Sequence, residues 1–223
     1  MSSETAEKFK AFKAAISESA ESHLRELFPR KTLELEKLLR EISSTDFSST
    51  QTEDVIRGAH KAKESQSVTG VSLPAIRPPC NVAVVKMMEK LKPELIDVLE
   101  QLNGLKMWIN MNIPKTQDGN NFGAAIQSET FSELARIEGD VAALYESIPW
   151  YYANRAKLIA RCMKYPQVED HLHTVSELDN KQKEALYMMC AELRNIYCCL
   201  NDMVLKNLDK LQKPTSTGPN MMY

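Results

Sequence analysis

Eight apolar residues, Val84, Met88, Leu91, Leu95, Val98, Leu102, Leu105 and Ile109, follow one another at spacings of four and three without a miss. Such spacing averages about 3.5 residues, so all eight lie along one stripe of a helix that packs on its neighbours at a shallow angle. Pro93 falls inside the stripe without disturbing its phase. An apolar seam of this length needs other long helices beside it, and the chain supplies three more periodic stretches.

The first of these steps through Phe9, Phe12, Ile16, Ala20, Leu24, Leu27 and Phe28, and Leu35, Leu38, Leu39 and Ile42 keep the phase beyond Pro29. A proline inside a helix removes one hydrogen bond and bends it, so the retained phase predicts one kinked helix. At about 1.5 Å per residue it would be on the order of 55–60 Å long. The next runs through Leu134, Ile137, Val141, Leu144 and Ile148 to Leu158, Ile159 and Cys162, with a kink or short break expected at Pro149. The last includes Leu178, Leu186, Met189, Leu193, Ile196, Leu200, Val204, Leu208 and Leu211, with Ser176, Glu177 and Asp179 as an acidic start. No segment alternates with a period of two. The expected fold is all-α: an antiparallel four-helix bundle of long kinked helices, in a single domain over 1–223. Helices this long make a slim rod with much lateral surface, the kind of surface that ring assemblies use.

The predicted order is helix 1 over about 4–42, a mobile loop at 43–79, helix 2 over about 80–112, a connection at 113–123, helix 3 over about 124–163, helix 4 over about 175–211 and a tail at 212–223. The 43–79 stretch is rich in Ser and Thr, holds Pro74, Pro78 and Pro79, and shows no sustained apolar period. That composition buries too little surface to offset chain entropy. In the tail, Pro214, Gly218 and Pro219 stop a helix. Glycine is scarce, at 7 in 223 residues, which suits helices, because glycine loses the most backbone freedom on ordering.

A formal net charge of −2 gives no global basic field for nucleic acid or a membrane surface. The opening MSSETAEKFK lacks the apolar core of a secretory signal, and no apolar run approaches the roughly 20 residues that cross a bilayer. Cys80, Cys162, Cys190, Cys198 and Cys199 are odd in number and lack CxxC spacing, which favours reduced thiols in the cytosol or nucleus.

A helical bundle raises the question of a carboxylate-bridged metal site, whose chemistry uses Glu-x-x-His pairs aimed into the core. None occurs here. Asp170-x-x-His173 comes nearest, and His171 and His173 could supply two ligands, but both fall in the expected 164–174 connection. No metal site is therefore assigned. The helical cysteines read as small core residues or free thiols, and Trp108, Trp150, Tyr151 and Tyr152 as packing anchors. No nucleophile elbow or phosphate loop surrounds the Ser, His and acidic residues. No catalytic residue and no cofactor are assigned.

One connection is out of character: IPKTQDGNNFGAAIQ, residues 113–127. It resembles the activation loop of the REG family of ATP-independent proteasome activators, which reads Ile-Pro-Arg-Ile-Glu-Asp-Gly-Asn-Asn-Phe-Gly. Ile113, Pro114, Asp118, Gly119, Asn120, Asn121, Phe122 and Gly123 match. The resemblance continues in FPRKTLELEKLL, KMWI, RAKL, KYPQVED, AELRN, DMVLKN and the final Tyr, so it covers nearly all the chain outside 43–79. RAKL and KYPQVED are most similar to the gamma type.

The resemblance implies a non-enzymatic protein whose seven subunits close into a homoheptameric ring around a channel that peptides or unfolded proteins pass through. It implies that the tail, Met221, Met222 and Tyr223, docks between alpha subunits of the 20S proteasome core particle. The loop residues Lys115, Asp118, Gly119, Asn120, Asn121, Phe122 and Gly123 would then open the gate. Gly119 and Gly123 would relieve backbone strain while Asp118, Asn120 and Asn121 lock the turn through side-chain hydrogen bonds. No cofactor, nucleic acid or membrane is implied, and the expected location is nucleus or cytoplasm. Three departures stand out: Lys115, Thr116 and Gln117 replace Arg-Ile-Glu, Pro149 is added, and the 43–79 loop lacks the gamma type's basic cluster. Lysine keeps the charge but loses arginine's bidentate fork. A helical scaffold without gate opening is the alternative from another class; a carboxylate-metal oxidase is disfavoured by the missing Glu-x-x-His.

Overall fold

The computed structural model describes residues 3–48, 50–69, 77–114 and 122–214. Among these residues every regular element is helical. In chain order they are α1 (Ser3–Ser22), a π turn (His23–Leu27), α2 (Phe28–Ser44), α3 (Thr50–Thr69), α4 (Val82–Met111), α5 (Phe122–Lys164), α6 (Asp170–Lys206) and the short α7 (Leu208–Gln212). Their contacts fall into two compact units. One holds Met1–Glu36, Glu94–Ala143 and Glu192–Tyr223, and the other Lys37–Pro93 and Leu144–Ala191.

The predicted passage through Pro29 without a break is what the backbone does, and a π turn carries it. Proline has no N–H and its ring clashes with the carbonyl four residues back, and here the turn before Pro29 widens to accommodate it. Phe28 N–H donates to the carbonyl of His23, five residues back. The wide turn also explains the burial pattern: Ala20, Leu24 and Phe28 are all buried at successive steps of four, which would drift off one line in a regular α-helix. Pro93 and Pro149 lie inside α4 and α5, so the break allowed for at Pro149 does not occur.

In the first unit, chain pairings are antiparallel. Glu21 meets Gln212, Phe28 meets Tyr197, and Glu36 meets Arg194, so the α1–α2 path and the α6–α7 path run in opposite directions. Phe28 and Tyr197 stack edge to face at 5.2 Å. Lys31 bonds Glu94 at 2.8 Å and Asp97 at 2.9 Å. Burial opposes the charge on Lys31, but those two carboxylates outweigh it and hold the ammonium above its usual range. The apolar stripe predicted from Phe9 onward becomes buried only at Ala20; Phe9 and Phe12 are exposed. The helical pairing opposite this segment reaches back only as far as Glu21, where α7 ends at Gln212.

The second unit departs most from expectation. Residues 50–69, within the predicted loop, form α3. Among its residues of described burial, Thr52, Ile56 and Ala59 are buried, with one large apolar side chain among the three. Ile56 closes a core cluster with Cys162, Leu172 and Val175. Arg57 bonds Glu169 at 3.1 Å, and the His60 ring meets the Cys162 carbonyl at 3.0 Å. The helix is thus held by its neighbours rather than by its own apolar period. Helix 4 likewise begins at Asp170 rather than about 175, and stops at Lys206 before α7. Trp150, read as an anchor, is exposed, while Trp108 and Tyr151 are buried.

Asp179, expected in an acidic helix start, is instead fully buried within α6. Its carboxylate accepts from Tyr151 Oη at 2.9 Å, Asn81 Nδ2 at 3.0 Å and Arg155 Nε at 2.9 Å. Arg155 also donates to the Pro79 carbonyl and to Thr52 Oγ1, both at 3.0 Å. Asn81 donates to the Phe47 carbonyl and accepts from Val84 N–H, capping α4. Burial, reinforced by the Asp179 charge, holds the Tyr151 hydroxyl well above its usual range. This network binds α3, α4, α5 and α6 within the unit. Replacing Asp179 with Ala strands the buried Arg155 charge and should cost about 3–5 kcal/mol in urea unfolding. A loss below about 1 kcal/mol would mean that Arg155 finds water or another partner.

Candidate functional site

The framework of the predicted loop and tail lies in the first unit. α4 ends at Met111, and Asn112 N–H donates to the Ile109 carbonyl at 3.0 Å. Asn112 Nδ2 donates back to the carbonyl of Trp108 at 3.0 Å, satisfying one of the acceptors that a helix C-terminus leaves open. Ile113 N–H donates to Asn110 O at 3.4 Å as the chain leaves the helix. Lys115, Asp118, Gly119, Asn120 and Asn121 lie outside the described residues, as do Met221, Met222 and Tyr223. The backbone is described again from Phe122, where α5 begins.

Gly123 is buried in the first turn of α5. Sequence reasoning gave it the role of relieving strain; its helical backbone needs no such relief. It is small for another reason. A β-carbon at this position would lie 2.1 Å from the Pro214 carbonyl oxygen and 2.5 Å from the Pro214 Cα, far inside contact distance. The backbone just after the loop therefore touches the backbone at the root of the tail. Pro214 is itself buried, two residues past the end of α7, where Lys213 N–H donates to the Asp209 carbonyl at 2.9 Å.

One turn further along α5, Gln127 is buried with its amide between the two other segments. Its Nε2 donates to the Asn112 carbonyl at 3.0 Å and to the Leu211 carbonyl at 2.8 Å. Lys106 and Glu138 pair α4 with α5 at 2.5 Å, and Gln212 bonds Glu21 at 2.9 Å. The arrangement brings both ends of the loop and the start of the tail to one place. Its groups are amides and carbonyls, suited to holding chain segments in fixed relation.

Sequence reasoning passed over Gln127, although a signal was present. Gly123, Gln127, Thr130, Leu134, Ile137 and Val141 continue the spacings of four and three, and all six are buried. A glutamine and a threonine on a core seam are out of place unless they meet polar partners. The other candidates do not converge on this end. His171 is half-buried and His173 exposed on α6, and among the described residues no group of three or more His, Cys, Asp or Glu is placed to hold a metal. Cys162 and Cys190 are buried, and burial pushes the Cys162 thiol up.

The family description "Proteasome activator PA28, C-terminal" matches residues 77–221, and "Proteasome activator PA28, N-terminal" matches residues 3–54. The proteins named proteasome activator complex subunit 3 from Gallus gallus and Homo sapiens are each 34% identical over 241 residues, covering 97% of this chain and 95% of theirs. The PA28 11S subunit of the Plasmodium falciparum proteasome superposes with a TM-score of 0.77 at 31% identity, over 96% of each chain. A chain from an archaeal 20S proteasome–PA26 complex superposes with a TM-score of 0.57 at 14% identity, over 94% of this chain and 99% of that one, a likeness of fold.

The close approach at Gly123 has a direct consequence. In Gly123→Ala the added methyl meets backbone, which cannot swing aside as a side chain can, so the start of α5 or Pro214 must shift. The variant should lose about 1–3 kcal/mol of stability, as overpacked sites do. Amide exchange at Leu211 and Lys213, whose N–H groups bond the Asn207 and Asp209 carbonyls, should quicken. Exchange unchanged at both would show that the contact does not hold the tail's root.

Proposed function

The chain belongs to the PA28 family of proteasome activators, and we propose that it opens the entrance gate of the 20S proteasome core particle without ATP or ubiquitin. The observation that carries this reading is the meeting of Gly123 with Pro214, which makes the loop and the tail leave the fold from one place. Gate opening by a docked ring needs that proximity. The tail anchors, and the loop must reach the alpha subunits beside the anchor.

In this reading the protein has no catalytic residue of its own; peptide hydrolysis belongs to the core particle. Seven copies close into a homomeric ring around a channel for peptides or unfolded chains. Each tail, ending in Met221, Met222 and Tyr223, occupies a pocket between alpha subunits. One tail binds weakly, but several on one ring share a high effective concentration. Lys115, Asp118, Gly119, Asn120, Asn121 and Phe122 form the activating face, where short polar side chains and a glycine hold a fixed turn, and Gly123, buried against Pro214, roots it. The expected location is nucleus or cytoplasm, with the gamma-like RAKL and KYPQVED favouring the nucleus. Among the described residues no helix is long and apolar enough to cross a membrane.

The test is addition of the protein to latent core particle, following cleavage of short fluorogenic peptides without ATP. Stimulation is expected, and a ring that binds core particle without stimulating it would instead mark a scaffold. Deleting Met221 to Tyr223 should leave the ring intact and abolish co-sedimentation with core particle. Equal co-sedimentation of truncated and full-length rings would remove the docking role. Asn120→Tyr places a bulky side chain where a tight turn tolerates asparagine. It should form rings that compete with the parent for core particle while stimulating hydrolysis at least about tenfold less, since the fault lies in loop shape rather than in tail avidity. Parent-like stimulation would reduce the loop to a simple connection.

A further inference from the structure

We propose that Gln127 is a positioning residue of the activator, whose amide ties the start of the 113–123 loop to the root of the tail and so sets where the loop stands on a docked ring. The proposal rests on the gate-opening reading given above and adds to it a device that fixes loop to anchor.

The geometry is specific. Gln127 is 1% exposed, and both protons of its Nε2 are used, one on the Asn112 carbonyl and one on the Leu211 carbonyl. Asn112 is the residue after α4, and Leu211 lies in the last turn of α7. Carbonyls at helix ends lack partners within their own helix. One side chain on a third helix thus satisfies two helix ends at once. A turn before it, Gly123 lets the α5 backbone reach Pro214. Gln127 and Gly123 together join the loop's two ends and the tail's root.

Packing alone does not explain a glutamine here. The position lies on the seam that continues as Thr130, Leu134, Ile137 and Val141, where an apolar side chain of similar length would fill the same space. The Gln127 Oε1 is buried and has no hydrogen-bond partner among the described residues, a state that costs stability. A polar group kept in a core at such cost suits a role in register, as with single polar residues that fix the alignment of packed helices. Register matters here because an activating surface held loosely, by even an ångström or so, loses much of its effect.

Two substitutions separate positioning from stability. Q127M keeps length and flexibility but removes both donors. Q127E keeps the shape and turns a carboxylate toward two carbonyl oxygens. Both should assemble rings, with Q127M melting somewhat below the parent, because the Asn112 and Leu211 carbonyls lose their donor even as the unpartnered oxygen is removed. With saturating ring and latent core particle, the plateau of peptide hydrolysis should fall several-fold for Q127M and further for Q127E, while the tail still supports binding. Gly123→Ala disturbs the same junction from its other side and should lower the plateau as well, which keeps the test decisive if a Gln127 variant fails to assemble. A Q127M ring reaching the parent's plateau overturns the proposal, as does a plateau that falls only in proportion to rings lost. A parent ring that gives no stimulation overturns the gate-opening reading, and the proposal with it.

Discussion

Everything described here depends on the burial of the α4 seam, from Val84 to Ile109, whose eight side chains are each at most 1% exposed. Burying an aliphatic side chain of this size is worth about 1.5–3 kcal/mol, and eight in line outweigh the loss of helix bonds at Pro93. The seam requires helices alongside, and α2, α5 and α6 carry buried apolar positions of their own. Polar contacts then choose among the ways such stripes can pack. In one unit the choice is made by Lys31 on Glu94 and Asp97, and in the other by Arg155 on Asp179.

The long helices and their cores were legible in the sequence because they rest on period. The α4 seam is buried at every predicted position, and so is most of the α6 stripe from Leu186 to Leu211. What escaped was whatever period does not encode. α3 presents Thr52, Ile56 and Ala59, a face too small to register as a stripe, and owes its order to Cys162, Leu172, Val175 and Arg155 far along the chain. Conversely, Phe9 and Phe12 have the period but lie exposed, because a stripe states what a helix can bury and not what stands opposite.

The candidate site divides the same way. Its motif residues are proposed by resemblance, while the contacts around Gly123 and Gln127 came from the structure. Gly123 was assigned conformational freedom, yet its helical backbone uses none; the constraint is the nearness of Pro214, more than ninety positions later in the sequence. Gln127 stood in plain view on a core seam, but its partners are backbone carbonyls, and carbonyls leave no mark in a sequence. Similarly, the charge of Asp179 suggested a helix start, and only folding shows it to be the acceptor for Tyr151, Asn81 and Arg155.

The π turn at His23–Leu27 has a consequence for how this first helix can vary. A π turn holds one residue more than the α turn it replaces, so it is the natural place for an insertion that the helix has absorbed rather than expelled. Removing one residue there would restore regular α winding and leave the segments on either side close to their present facing, because the wide turn has already taken up the extra residue. Phe9 and Phe12 would keep their direction, and so would the buried residues from Phe28 onward. Chain length ahead of Pro29 can in this way change by one residue with no re-aiming of the segment and no substitution in the core.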